Sequence, residues 1–113
     1  MRVWQASVDL SVDCYAVTKL FPQNEMFGIT SQIRKACVSV AANIAEGHGR
    51  EQTGSFIQFL RIAQGSLKEL ETHFIIAQRV GLIEEREVVR IFGQCEQVGR
   101  MLRSLIRTLQ DKT

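Results

Sequence analysis

Proline, paired cysteine and any strong excess of one charge are all scarce in this sequence. The single proline, Pro22, stands among 113 residues, so long helical segments on either side of it meet no internal breaker. Cys14, Cys37 and Cys95 are widely spaced, and no CxxC or Cys/His spacing occurs; the signatures of a disulfide scaffold, a zinc ribbon and a redox CxxC are therefore missing. Each lies on or beside an apolar helical stripe, and they read as small buried hydrophobes in a reducing cytoplasm. Fourteen basic and twelve acidic side chains give a formal charge of +2, so nucleic-acid affinity would have to come from where the arginines sit rather than from the total. No stretch approaches the ~18 uninterrupted apolar residues of a membrane span. Asp9 and Asp13 interrupt the N-terminal segment before it reaches signal-peptide length. A cytoplasmic, unprocessed chain with no membrane association is the expectation.

What is present is helical period. With 45% hydrophobic and 23% charged residues the composition is that of a globular protein, and 113 residues suit one domain over the whole chain, 1–113, with one core. Pro22 and the glycines divide it into four segments, and none alternates with period two. The first, about 3–20, places Trp4, Val8, Val12, Tyr15 and Leu20 near i, i+4 spacing and ends before Pro22. The second, about 30–47, begins at the N-cap candidates Thr30 and Ser31 and carries Ile33, Ala36, Cys37, Val40, Ala41 and Ile44. The third, about 54–80, carries Phe56, Phe59, Leu60, Ala63, Leu67, Leu70, Phe74 and Ala77, with Gly81 and Leu82 placed for a C-cap. The fourth, about 84–110, carries Val88, Ile91, Phe92, Cys95, Val98, Leu102, Leu105, Ile106 and Leu109 behind an acidic first turn. Short connections between long helices predict an all-α, up-down-up-down antiparallel four-helix bundle.

The third segment has a second stripe roughly half a turn from the first: Ile62, Glu69, His73, Ile76 and Val80. A helix packed in a monomer keeps that side polar. Apolar residues there predict a further buried contact, most economically with another copy of the chain, with Ile62, His73, Ile76 and Val80 in the interface.

The run Ala41-Ala42-Asn43-Ile44-Ala45-Glu46-Gly47-His48-Gly49-Arg50 packs two glycines, a histidine, a carboxylate and an arginine into the tail of an apolar pattern. Gly47 directly follows the apolar pattern, where a left-handed turn would end the helix. The glycines follow a helix and match neither GxGxxG nor GxxxxGK[ST], which argues against a phosphate cradle. Glu46-x-His48 and Glu69-x-x-x-His73 lack the Glu-x-x-His spacing of di-metal bundles. No serine elbow or oriented histidine supports nucleophilic catalysis. Asn43, Glu46, Arg50, Glu69 and Glu71 read instead as a structural polar motif, with Glu46 and Arg50 pairing with charges on the third segment. No cofactor, no metal and no enzymatic activity are expected.

Taken together, Leu20-Phe21-Pro22, Gly28-Ile29-Thr30-Ser31-Gln32-Ile33-Arg34-Lys35-Ala36, Asn43-Ile44-Ala45-Glu46-Gly47-x-Gly49-Arg50 and Phe59-Leu60-x-Ile62-Ala63-x-Gly65-Ser66-Leu67-x-Glu69-Leu70-Glu71-Thr72 closely resemble the four-helix bundle proteins encoded in intervening sequences of bacterial 23S ribosomal RNA genes. The resemblance covers nearly the whole chain and is densest from about 20 to 83. It implies a ring-like homopentamer. A similar bundle serves as the accessory protein of diversity-generating retroelements, a basic pentameric barrel that engages a reverse transcriptase and nucleic acid. Ala41 stands where the family often has proline, and Gly54-Ser55 replaces a more usual charged pair; a weaker kink and a looser third-helix start follow.

Two binding functions compete on this sequence. Arg86, Arg90, Arg100, Arg103 and Arg107 fall within an arc of about 140° opposite the apolar stripe of the fourth segment. Repeated around a ring, such a row would track an RNA or DNA backbone without reading its sequence. The alternative is a scaffold or accessory subunit that presents a repeated surface to a partner protein, with Gly93 and Gly99 permitting close helix approach.

Overall fold

Four helices, α1 (Arg2–Thr18), α2 (Ile29–His48), α3 (Thr53–Arg79) and α4 (Glu85–Asp111), with one 3-10 turn at Gln23–Glu25, make up the computed structural model of the protein, which describes residues 1–112. There is no strand among the described residues. Each helix packs against its two neighbours in cyclic order, α1 on α2, α2 on α3, α3 on α4 and α4 back on α1. Cross-helix contacts fix the antiparallel register. Gly47 meets Phe56 and Phe59 while Ser39 bonds Ser66 at 2.8 Å, and Gly99 meets Leu67. The all-α four-helix bundle expected from the periodicity is what forms, with helix ends within two residues of those expected.

The core runs the length of the bundle through Leu10, Cys14, Ile33, Val40, Ile44, Leu60, Leu70, Phe74, Ile91, Cys95 and Leu102. Helices α2, α3 and α4 bury the stripes that the sequence pattern marks, with Ala41, Phe56, Phe59, Phe92, Leu105 and Leu109 only partly covered. Helix α1 does not. It buries Val3, Ser7, Leu10, Cys14, Val17 and Thr18, whereas Trp4, Val12, Tyr15 and Leu20 are exposed. The two polar residues on the buried stripe bond to their own helix, Ser7 Oγ to the Trp4 carbonyl at 2.7 Å and Thr18 Oγ1 to the Cys14 carbonyl at 2.8 Å. A hydroxyl satisfied in this way enters a core at little cost, which frees the more apolar stripe to face outward.

Two glycines set the geometry. Gly81 has φ +82° and closes α3: the Leu82 amide donates to the Ala77 carbonyl at 2.9 Å, the long bond of a Schellman turn, and Leu82 packs on the core. Gly47 does not end α2 as a left-handed residue. It lies inside the helix, buried, and a methyl group there would stand 2.8 Å from Phe59 Cβ and 3.0 Å from Phe56 Cδ1. The missing side chain allows α2 and α3 to close together. The start of α2 also differs from expectation: Gly28 is its N-cap, the helix begins one residue earlier at Ile29, and Thr30 is buried within the first turn.

Candidate functional site

The side chains singled out on the sequence lie on three surfaces. The first is on α3, where Ile62, Ile76 and Val80 are exposed, as is Glu69. His73 is half-buried between them, and its Nε2 is sealed from solvent without a hydrogen-bond partner. The helical wheel therefore holds on this face, and the apolar members are in water in the single chain.

A second exposed apolar surface lies along α1 and the start of α2, and sequence reasoning missed it by assigning its α1 residues to the core. Trp4, Val12 and Tyr15 on α1, Val38 on α2 and Met26 and Phe27 in the connection are all exposed, Val12 to 61% and Phe27 to 93%. Tyr15, Met26, Phe27, Ser31, Arg34 and Val38 line one shallow groove. Its wall is rigid, because the Arg34 guanidinium sits 4.5 Å over the Tyr15 ring while its Nε donates to Thr18 Oγ1 at 3.0 Å. The signal was available in the sequence as two helical stripes of comparable spacing on α1, of which only one can be inside.

The arginine row of α4 is partly neutralised. Arg100 pairs with Glu96 at 2.7 Å and Arg86 with Glu84 at 3.6 Å. Arg90 bridges Glu87 at 3.0 Å and Asp13 of α1 at 3.5 Å, and the hydrogen bond it donates to Glu87 raises its pKa. Gln94 donates to the same Asp13 at 2.6 Å, so Arg90 ties α4 to α1. Arg103 and Arg107 are exposed and have no ion pair among the described residues. Arg103 stands at the rim of a cleft of about 530 Å³ between α3 and α4, with Leu67, Phe92, Cys95 and Gly99 at its floor and Lys68, Glu71 and Glu96 beside it.

The polar motif at the end of α2 does not reach across to α3 by ion pairs. Glu46 and Arg50 pair with each other at 2.8 Å on the surface, and the Arg50 guanidinium lies 4.9 Å over the Phe59 ring. Asn43 donates to the Ser39 carbonyl at 2.8 Å, and it is Ser39 that meets Ser66 of α3. Glu71 pairs with Lys68 of its own helix at 3.2 Å. The expected cross-helix charge network is thus replaced by pairs one turn apart, because a long side chain satisfies a near neighbour at less loss of rotamer freedom. Among the described residues no group of three or more His, Cys, Asp or Glu is arranged to hold a metal ion, and no helix is long and apolar enough to cross a membrane.

Comparison with known proteins adds two findings. The family model of the 23S rRNA-intervening sequence protein matches residues 1–104. The chain is similar to the crystal structure of a protein of unknown function from the S23 ribosomal protein family of Bacteroides thetaiotaomicron, with a TM-score of 0.82 over 92% of this chain and 97% of the other at 23% identity. That likeness speaks for the fold. No curated protein matches the sequence.

Proposed function

We infer that this chain, which belongs to the 23S rRNA-intervening sequence protein family, works by binding as a homo-oligomeric scaffold in the cytoplasm. The observation that carries the reading is the apolar surface left in water on two faces, one along α1 and the start of α2 and one on α3. Trp4, Tyr15 and Phe27, exposed to 39%, 39% and 93%, alone leave roughly 250–430 Å² of aromatic surface uncovered. Met26 and Val38, which line the same groove as Tyr15 and Phe27, enlarge the exposed apolar surface there toward the size at which a patch marks a contact site. The α1/α2 face and the α3 face are made of different residues, so a contact between them is head-to-tail and closes into a ring when the rotation allows. Five copies is the number that the family resemblance implies. Light scattering tests the reading: a particle several times 12.8 kDa is expected, and a single-chain particle at working concentration would overturn it.

A second reading adds nucleic acid as the ligand of the ring. It is supported by Arg103 and Arg107, whose charge is not spent on a neighbouring carboxylate, together with Arg100 one turn away. Repeated around a ring, they would contact phosphates along a backbone and give binding that weakens steeply with salt. Adding RNA to the scattering measurement separates this from a scaffold that meets only protein.

A further inference from the structure

Two cations share the groove at the start of α2 with no acid to answer them. Arg34 and Lys35 line it beside Tyr15, Met26, Phe27 and Val38, and neither has an ion pair among the described residues. Arg34 is held in place, its Nε donating to Thr18 Oγ1 at 3.0 Å and its guanidinium resting 4.5 Å over the Tyr15 ring. Its terminal nitrogens are therefore unused donors on a side chain already ordered, and pairing with a carboxylate costs it little further rotamer freedom. The cation also lies between apolar side chains: Phe27 precedes it in the chain and Val38 follows one turn later, both exposed.

The α3 face carries the complementary arrangement. Glu69 is exposed and has no ion pair among the described residues, because its neighbour Lys68 pairs with Glu71. Ile62 and Ile76 stand seven residues before and after it, about two turns and roughly 10 Å to either side on the same face, and both are exposed. Asp9, Glu25, Glu51, Glu85 and Asp111 also lack an ion pair, but none of them has an exposed large apolar residue at both of those positions. Glu69 is the one unpaired carboxylate set in an apolar strip, as Arg34 is the cation set in an apolar groove.

We propose that Glu69 of one copy pairs with Arg34 and Lys35 in the groove of the next, while Ile62 and Ile76 cover the apolar walls on either side of the pair. The proposal rests on the homo-oligomeric reading above and adds which surfaces meet and what sets their register. Apolar burial supplies the attraction, and it tolerates sliding along the helix. The ion pair does not tolerate it: a shift of one turn sets the carboxylate against an apolar wall and leaves a desolvated guanidinium unpaired. The same charges select the direction of assembly. Two grooves face to face would oppose Arg34 and Lys35 to their own kind, and two α3 strips would oppose Glu69 to Glu69, so like-with-like pairing is repelled and head-to-tail pairing is favoured.

Charge reversal followed by analytical ultracentrifugation tests the pairing. Glu69→Arg and Arg34→Glu should each weaken self-association on the order of 30-fold or more, with circular dichroism still helical. Mixing the two variants should restore assembly, because every contact between unlike copies then joins opposite charges, and the double variant should recover it within one chain. If Arg34→Glu loses helicity, since Arg34 also ties Tyr15 to Thr18, Ser31→Glu takes its place: Ser31 lines the same groove and lies in the first turn of α2, where a carboxylate favours the helix. An assembled wild type whose single variants assemble equally well overturns the proposal and leaves the scaffold reading standing. Weakened single variants that neither mixing nor the double variant rescues overturn it too. A wild type that sediments as a single 12.8 kDa chain removes the oligomer itself, and this pairing with it.

Discussion

Substituting Gly47 by alanine sets two opposing effects against each other, and the structure says which prevails. In an unobstructed helix the change stabilises by about 1 kcal/mol, because alanine loses less backbone entropy and covers the helix better. At Gly47 the new methyl group meets Phe59 Cβ at 2.8 Å, Phe56 Cδ1 at 3.0 Å and the Phe56 carbonyl oxygen at 3.2 Å. Neither the Cβ nor the carbonyl can swing aside as a flexible chain end does, so α2 and α3 must separate by a few tenths of an ångström along a seam they share. Overpacking of this kind costs about 1–3 kcal/mol, and it opens contacts around Leu60 and Ile44 as well. The net expectation is a loss of about 0–2 kcal/mol. Gly93 supplies the internal control: it lies within α4, and a methyl group there meets nothing within 4 Å. Gly93→Ala should therefore gain about 0.5–1 kcal/mol. Urea unfolding of the two variants and the parent at one fixed protein concentration measures both, with the shift read in the midpoint at constant slope. If Gly47→Ala is as stabilising as Gly93→Ala, the close approach of α2 and α3 is not what requires glycine, and the reasoning fails.

Other expectations follow from the same observations. Phe27→Glu and Ile76→Glu act on the two exposed apolar faces, and each alone should shift scattering mass toward 12.8 kDa while circular dichroism stays helical; an unchanged mass for both removes these faces from assembly. Phe74 is fully buried, so Phe74→Ala should cost about 3–5 kcal/mol in urea unfolding, against less than about 1 kcal/mol for Val80→Ala, which lies in water in the single chain. Arg103→Glu with Arg107→Glu should weaken RNA retention and flatten its salt dependence more than Arg86→Glu with Arg90→Glu, whose partners already hold them; equal effects would discard the distinction between paired and unpaired arginines. Burial raises the folded Cys95 pKa from 9.0 to about 12. The unfolded chain thus loses this proton first, and its contribution to stability, complete below about pH 9, is lost as pH climbs toward 12 at about 1.4 kcal/mol per unit. Cys95→Ala should flatten that alkaline decline in a pH series of unfolding midpoints.

Helix number, length and order were legible in the chain because the core stripes of α2, α3 and α4, through Ile44, Leu67 and Leu102, are the longest on their helices, and the second stripe of α3 is interrupted by Glu69 and His73. The Gly81 turn was legible too, since a left-handed residue followed by Leu82 is a local event. Helix α1 was not, because Trp4, Val12 and Tyr15 are as regularly spaced as Val3, Leu10 and Cys14, and local pattern holds no information about which stripe the other helices can cover. Packing chose the stripe containing Ser7 and Thr18, whose hydroxyls bond to their own turn and whose small volumes let α1 approach. The same dependence on long-range contact explains why Gly47 resembled a helix stop and is a contact point, and why Glu46 and Arg50 pair with each other rather than with charges on α3. The sequence by itself determined the period and hence the elements; the tertiary structure decided which side of each element faces in, because burial is a property of what stands opposite and not of the residue alone.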